Sequence, residues 1–142
     1  MIAPLPRASH STRWLAARLR AGLGAELELR GFSMTPGLRD GDHLQVAPLG
    51  ERLPSPGEIL VARLGTRLVT HRLVAVAGGR ATLRGDACRR DDPPIETSSL
   101  LGRVVAVRRG PLRLSPPPRG CPAAWRRALG QIREWLREAA CR

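Results

Sequence analysis

The chain contains no lysine and no tyrosine. Its 24 basic side chains are all arginine, set against 12 Asp and Glu, for a net charge of +12. No mechanism that needs a lysine base is open to it. Aromatic residues are scarce, with three Trp and one Phe, so Val, Leu and Ala must fill the core. The stacking side chains of a single-strand nucleic-acid binder are also missing. The three cysteines, Cys88, Cys121 and Cys141, are widely spaced and odd in number. That pattern predicts neither a disulfide framework nor a metal site, and it fits a reducing compartment. No apolar run approaches the roughly 20 residues of a membrane span. Nor does the N-terminus carry a signal-peptide core, because Arg13, Arg18 and Arg20 interrupt the one candidate. These absences predict a cytoplasmic or peripherally membrane-associated protein without cofactor or metal.

What is present is enough for one domain. A chain of 142 residues can bury a real core but does not divide comfortably in two. Its charge is uneven. Residues 1–32 hold five Arg and two Glu, residues 103–142 ten Arg and two Glu, and residues 33–102 nine Arg against eight Asp and Glu. The basic excess therefore lies in the flanks, where anionic lipid, an acidic peptide or a nucleic-acid backbone would each be attracted. No nucleic-acid-binding motif accompanies it, and a nucleic-acid partner is not expected.

Ser9 to Ala21 reads as a short helix with Trp14, Leu15 and Leu19 near one face, stopped by Gly22 or Gly24. From Ala25 to Leu114 the pattern changes to strands and breakers. Segments 25–32, 43–48, 58–64, 67–76, 80–84 and 101–109 are predicted strands. Leu64-Gly65-Thr66-Arg67 and Gly78-Gly79 read as hairpin connections. The expected body is mainly β, coiled and antiparallel, with short helices at either end. Ser115 to Arg119 reads as a Pro-rich linker, and Cys121 to Arg142 as a basic amphipathic helix with Trp125, Leu129, Ile132 and Leu136 at helical spacing. That helix suits either packing on the body or contact with an anionic membrane. The predicted organisation is thus 1–24, tail and short helix; 25–114, β domain; 115–142, linker and C-terminal helix.

Three polar clusters punctuate the β region. Ser33 stands where the alternating run Glu26 to Arg30 gives way to the turn Pro36-Gly37. His71 lies inside the longest predicted strand, whereas His10 falls in a tail and His43 near a loop. Asp86, Asp91 and Asp92 belong to the loop Gly85-Asp86-Ala87-Cys88-Arg89-Arg90-Asp91-Asp92. A serine hydroxyl becomes a nucleophile when a neighbouring base takes its proton, and a carboxylate on the far imidazole nitrogen orients that base. Each residue also has a plainer reading. Serines in turns bond the local backbone, a strand histidine can simply be a satisfied core group, and Asp86 can bond its own turn.

In order along the chain, GFSMTPGLRDGDHLQV, PGEILV, VTHRLVAV and GDACRRDD resemble the four boxes of type I signal peptidases. A histidine followed by Arg, in place of the lysine base, is similar to the endoplasmic-reticulum and archaeal branch. Agreement extends over roughly residues 29–107. Two departures stand out: family members usually have a membrane span before the serine, and Gly37 occupies a position where Thr is common. The resemblance implies the mainly β fold shared by signal peptidases and SOS-type repressor peptidases. It also implies a serine endopeptidase that removes a leader or signal segment, with Ser33 as nucleophile, His71 as base and Asp92 as orienting carboxylate. Asp86 matches the Gly-Asp aspartate and is expected to be structural or supporting, although an exchange of roles with Asp92 stays open at this level. An extended peptide or preprotein would be the substrate. The rival expectation is a catalytically inactive peptide-binding module of the same fold.

Overall fold

The computed structural model describes residues 12–118. The chain enters through α1 (Thr12–Arg20) and continues as β1 (Ala25–Glu28), β2 (His43–Pro48), β3 (Ile59–Leu64), β4 (Arg67–Ala77), β5 (Arg80–Arg84), β6 (Ile95–Glu96), β7 (Leu100–Arg109) and β8 (Leu112–Leu114). All strand pairs are antiparallel, in the order β1-β2-β7-β3-β4-β5-β6, with β8 added to β7. The protein is therefore mainly β with one short helix among the described residues. The predicted C-terminal helix lies outside them.

Both expected hairpins form: Leu64 pairs with Arg67 across Gly65-Thr66, and Ala77 with Arg80 across Gly78-Gly79. The sheet curls because its ladders slip. Register shifts opposite Gln45/Val46, Val61/Ala62 and Leu73/Ala75 leave Val105, Leu101 and Val74 as extra residues. Each such bulge adds local twist and bends its strand.

Side-chain alternation divides the interior into two clusters. Leu60, Ala62, Val69, Leu73, Ala81, Leu83 and Leu100 form one. Their strand neighbours Ile59 and Val61 face the other, with Leu44, Val46, Val104, Val107 and the helix residues Leu15 and Leu19. That is why β3 is buried at four consecutive positions and reads as continuously apolar. The helix closes at Gly22, where Gly22 N–H donates to Leu19 O (3.1 Å) and Leu23 N–H to Arg18 O (3.1 Å), the bonding of a Schellman cap. No helix among the described residues is long and apolar enough to cross a membrane.

Three expectations need correction. The strand expected over 25–32 stops at Glu28, since Leu29 N–H bonds Asp42 O (2.7 Å) and Gly41 N–H returns to Leu29 O (2.8 Å), closing a loop. His43 opens β2, as the strand expected over 43–48 implies, and lies 3.1 Å from Glu26. The segments β6 and β8, two and three residues long, were not anticipated because they are too short to show a period. Cys88 is disulfide-bonded, against the expectation of free thiols, since spacing along a chain does not report proximity in space.

Candidate active site

Loop 29–42 is tied at its neck and filled at its centre. Besides the Leu29–Asp42 main-chain bonds, the Asp42 carboxylate accepts from Arg109 Nε (2.9 Å), Arg109 Nη2 (2.8 Å) and the Arg39 N–H (2.8 Å). Burial opposes ionisation of Asp42, but these donors outweigh it, so its carboxyl sits below the ordinary value. The bond to Asp42 raises Arg109 above its own ordinary value. Met34 and Leu38, 1% exposed each, carry the loop into the core. The Thr35–Pro36 peptide is cis.

Within this loop Thr35, not Ser33, makes the local backbone contact: its Oγ1–H donates to Phe32 O (2.8 Å). The Ser33 hydroxyl points elsewhere and lies 3.1 Å from His71 Nε2. His71 sits in mid β4, opposite Leu60, and is buried. Its Nδ1 is hydrogen-bonded to Asp92 Oδ2. In a neutral imidazole whose Nδ1–H donates to the Asp92 carboxylate, Nε2 is the acceptor that faces the Ser33 O–H. Ser33, His71 and Asp92 thus form one hydrogen-bonded chain assembled from a loop, a strand and a second loop.

Asp86 does not reach His71. It is engaged by Arg72 through two bonds, Nε to Oδ1 (2.8 Å) and Nη2 to Oδ2 (2.7 Å). Consecutive residues of a strand point to opposite faces. Loop 85–94 therefore meets both faces of β4, with His71 holding Asp92 and Arg72 holding Asp86. Arg72 also donates to Gly57 O (2.8 Å) and Pro117 O (3.1 Å), which gathers the segments before β3, after β5 and after β8 around one guanidinium.

The two loops touch directly. Ala87 N–H donates to Ser33 O (2.8 Å), and Asp86 N–H is 3.4 Å from Met34 Sδ. A side chain at position 85 would bring its Cβ within 2.7 Å of Ser33 O and 3.1 Å of Ser33 Cβ, so only glycine permits this approach. At Gly37 the obstacle is Pro117, whose ring carbons would lie 2.7 and 2.8 Å from a Cβ. Pro117, read in sequence as part of a linker, rests on the serine loop here, and this is a physical reason for glycine at position 37.

Sequence reasoning assigned no role to Arg72, Met34 or Gly85. For Arg72 a signal existed: an arginine in mid-strand between apolar residues requires a carboxylate partner once buried. Met34 and Gly85 stood in the quoted motifs, but their roles were not legible there, because both act through contacts that only the folded chain creates. Among the described residues no group of three His, Cys, Asp or Glu side chains is disposed to hold a metal. No family model matches the sequence, and no curated protein matches it.

Proposed function

We propose that the protein is a serine endopeptidase of the signal-peptidase type, cleaving a leader or signal segment from a peptide substrate. The observation that carries the reading is the single imidazole bonded on one side to Ser33 Oγ and on the other to Asp92. Attack of Ser33 Oγ on a peptide carbonyl carbon would pass the hydroxyl proton to His71 Nε2. Asp92 would stabilise the imidazolium. That proton would then go to the leaving amine as the C–N bond breaks, leaving an ester on Ser33. Water, deprotonated by His71, would hydrolyse the ester and restore the free serine.

Charge develops on the carbonyl oxygen at each stage and needs donors already in place. The Ser33 N–H donates to no acceptor among the described residues, which leaves it available for that purpose. An extended substrate would align by main-chain bonds, with small pockets selecting small side chains. The resemblance in four ordered boxes supports the peptidase class, and the absence of lysine agrees with a histidine base.

The decisive experiment uses a fluorophosphonate probe and a mixed peptide library, with the adduct and cleaved bonds located by mass spectrometry. The probe should attach at Ser33. Ser33→Ala and His71→Ala should each reduce cleavage by about 10⁵-fold or more, and the double variant should be no worse, because members of such a unit do not contribute additively. Retained cleavage in folded Ser33→Ala would sink the proposal. Peptide binding without labelling or cleavage would favour the inactive binding module instead.

The basic flank 115–142 is proposed to make peripheral contact with anionic membrane, through its arginines and the indoles of Trp125 and Trp135. Each basic residue near such a surface contributes about 1 kcal/mol, fading with salt. The full chain should sediment with vesicles of anionic but not neutral lipid and be released as salt rises. A chain ending at Pro118 should not sediment, while keeping the Pro117 O–Arg72 bond intact. Equal sedimentation of the two chains would remove the flank from the account.

A further inference from the structure

A methionine follows the serine directly, and the core alone does not account for it. Met34 is 1% exposed and belongs to the larger apolar cluster, a place where leucine would serve as well by volume. Yet its sulfur faces a main-chain donor, Asp86 N–H, at 3.4 Å. The carbonyls of the serine turn are already engaged. Phe32 O accepts from Thr35 N–H and Thr35 Oγ1–H, Ser33 O from Ala87 N–H, and Met34 O from Leu38 N–H. The Asp86 N–H therefore meets the thioether, a weak acceptor but the one presented to it.

We propose that Met34 is a positioning residue whose sulfur, rather than its bulk, seats the loop that brings Asp92 to His71. The inference rests on the serine-peptidase reading and adds to it the part that fixes the orienting carboxylate. Two successive N–H groups of the loop, Asp86 and Ala87, dock on two successive residues of the serine turn, Met34 and Ser33. Gly85 lets the chains approach closely enough for both bonds. From that anchorage the loop turns through Cys88 N–H to Gly85 O (2.9 Å) and returns to the sheet where Asp92 N–H meets Leu83 O (2.7 Å). Asp92 is held at one end by the sheet and at the other by a loop tied through the Ser33-Met34 dock, the Arg72–Asp86 pair and the Cys88 disulfide, and the dock is the tie that joins it to the serine itself.

The chain makes the test unusually clean. It holds two methionines, Met1 and Met34, so expression with norleucine in place of methionine changes one internal position. Norleucine keeps the length and apolar character of the side chain and replaces the sulfur with a methylene. Two readouts are taken on the same protein: hydrogen exchange at the Asp86 and Ala87 amides, and kcat and KM toward the best cleaved peptide. Norleucine should speed exchange at Asp86 by about tenfold or more and lower kcat about tenfold with KM nearly unchanged, matching loss of one buried bond. Met34→Leu should behave like norleucine, and selenomethionine should restore both readouts.

Unchanged Asp86 exchange in the norleucine protein would overturn the sulfur contact. Faster exchange with unchanged kcat would overturn the positioning role while leaving the contact in place. A protein that protects Asp86 through Met34 but neither labels nor cleaves would instead refute the peptidase reading, so the two failures are distinguishable.

Discussion

Met34 and Leu38 of the serine loop are 1% exposed and Asp42 is 2% exposed, whereas the carboxylate loop 85–94 buries no side chain and leaves Asp86 and Asp91 open to solvent. The first loop is anchored by apolar packing, the main-chain bonds at its neck and the ion pair of buried Asp42 with partly buried Arg109. The second is anchored by directional bonds from Asp86 N–H, Ala87 N–H, Asp92 N–H and the Arg72 guanidinium, and by the disulfide at Cys88. Burial fixes a loop as a unit because every displaced methyl loses contacts with several neighbours. Directional bonds fix only the atoms that make them. The difference teaches where each half is vulnerable: the serine side through global stability, the carboxylate side through geometry at His71.

Asp92→Asn probes that contrast with the largest expected effect. An amide can hold the ring while favouring the wrong tautomer, so turnover should fall by on the order of 10³ to 10⁴ with the melting temperature nearly unchanged. Asp86→Asn should do the reverse. It leaves Arg72, only 10% exposed, facing a neutral partner, and should lower stability by about 1–3 kcal/mol with a smaller loss of rate. Rates and thermal melts showing the opposite pattern would exchange the two aspartates.

On the serine side, Asp42→Asn should lower stability by about 3 kcal/mol, because it uncovers a partly buried Arg109 at the loop neck. The pH dependence has a definite sign. The Asp42 carboxyl is depressed in the folded protein, so its stabilisation is complete above the ordinary value of 3.8 and is lost as pH falls through the lower folded value. Denaturant titrations should therefore show the gap between wild type and Asp42→Asn closing below that pH. A gap independent of pH would mean that the pair contributes packing, not charge.

Residue type and local period, read without coordinates, were enough for the mainly β architecture, both hairpins and the limits of β2 and β5. Strand alternation and glycine turns are local properties, imposed by neighbours one to four positions away. The same reading could nominate Ser33, His71, Asp86 and Asp92 by chemistry, but it could not say which aspartate meets the imidazole. Both lie in one short loop, and the choice depends on Arg72 emerging from the opposite face of β4 to claim Asp86. Nor could it foresee that Pro117 would lie on Gly37, or that the Met34 sulfur would face the Asp86 amide. Those are contacts between residues 80 and 52 positions apart, respectively. Local sequence sets which way a strand presents its side chains; only the closed sheet brings distant ones within bonding distance.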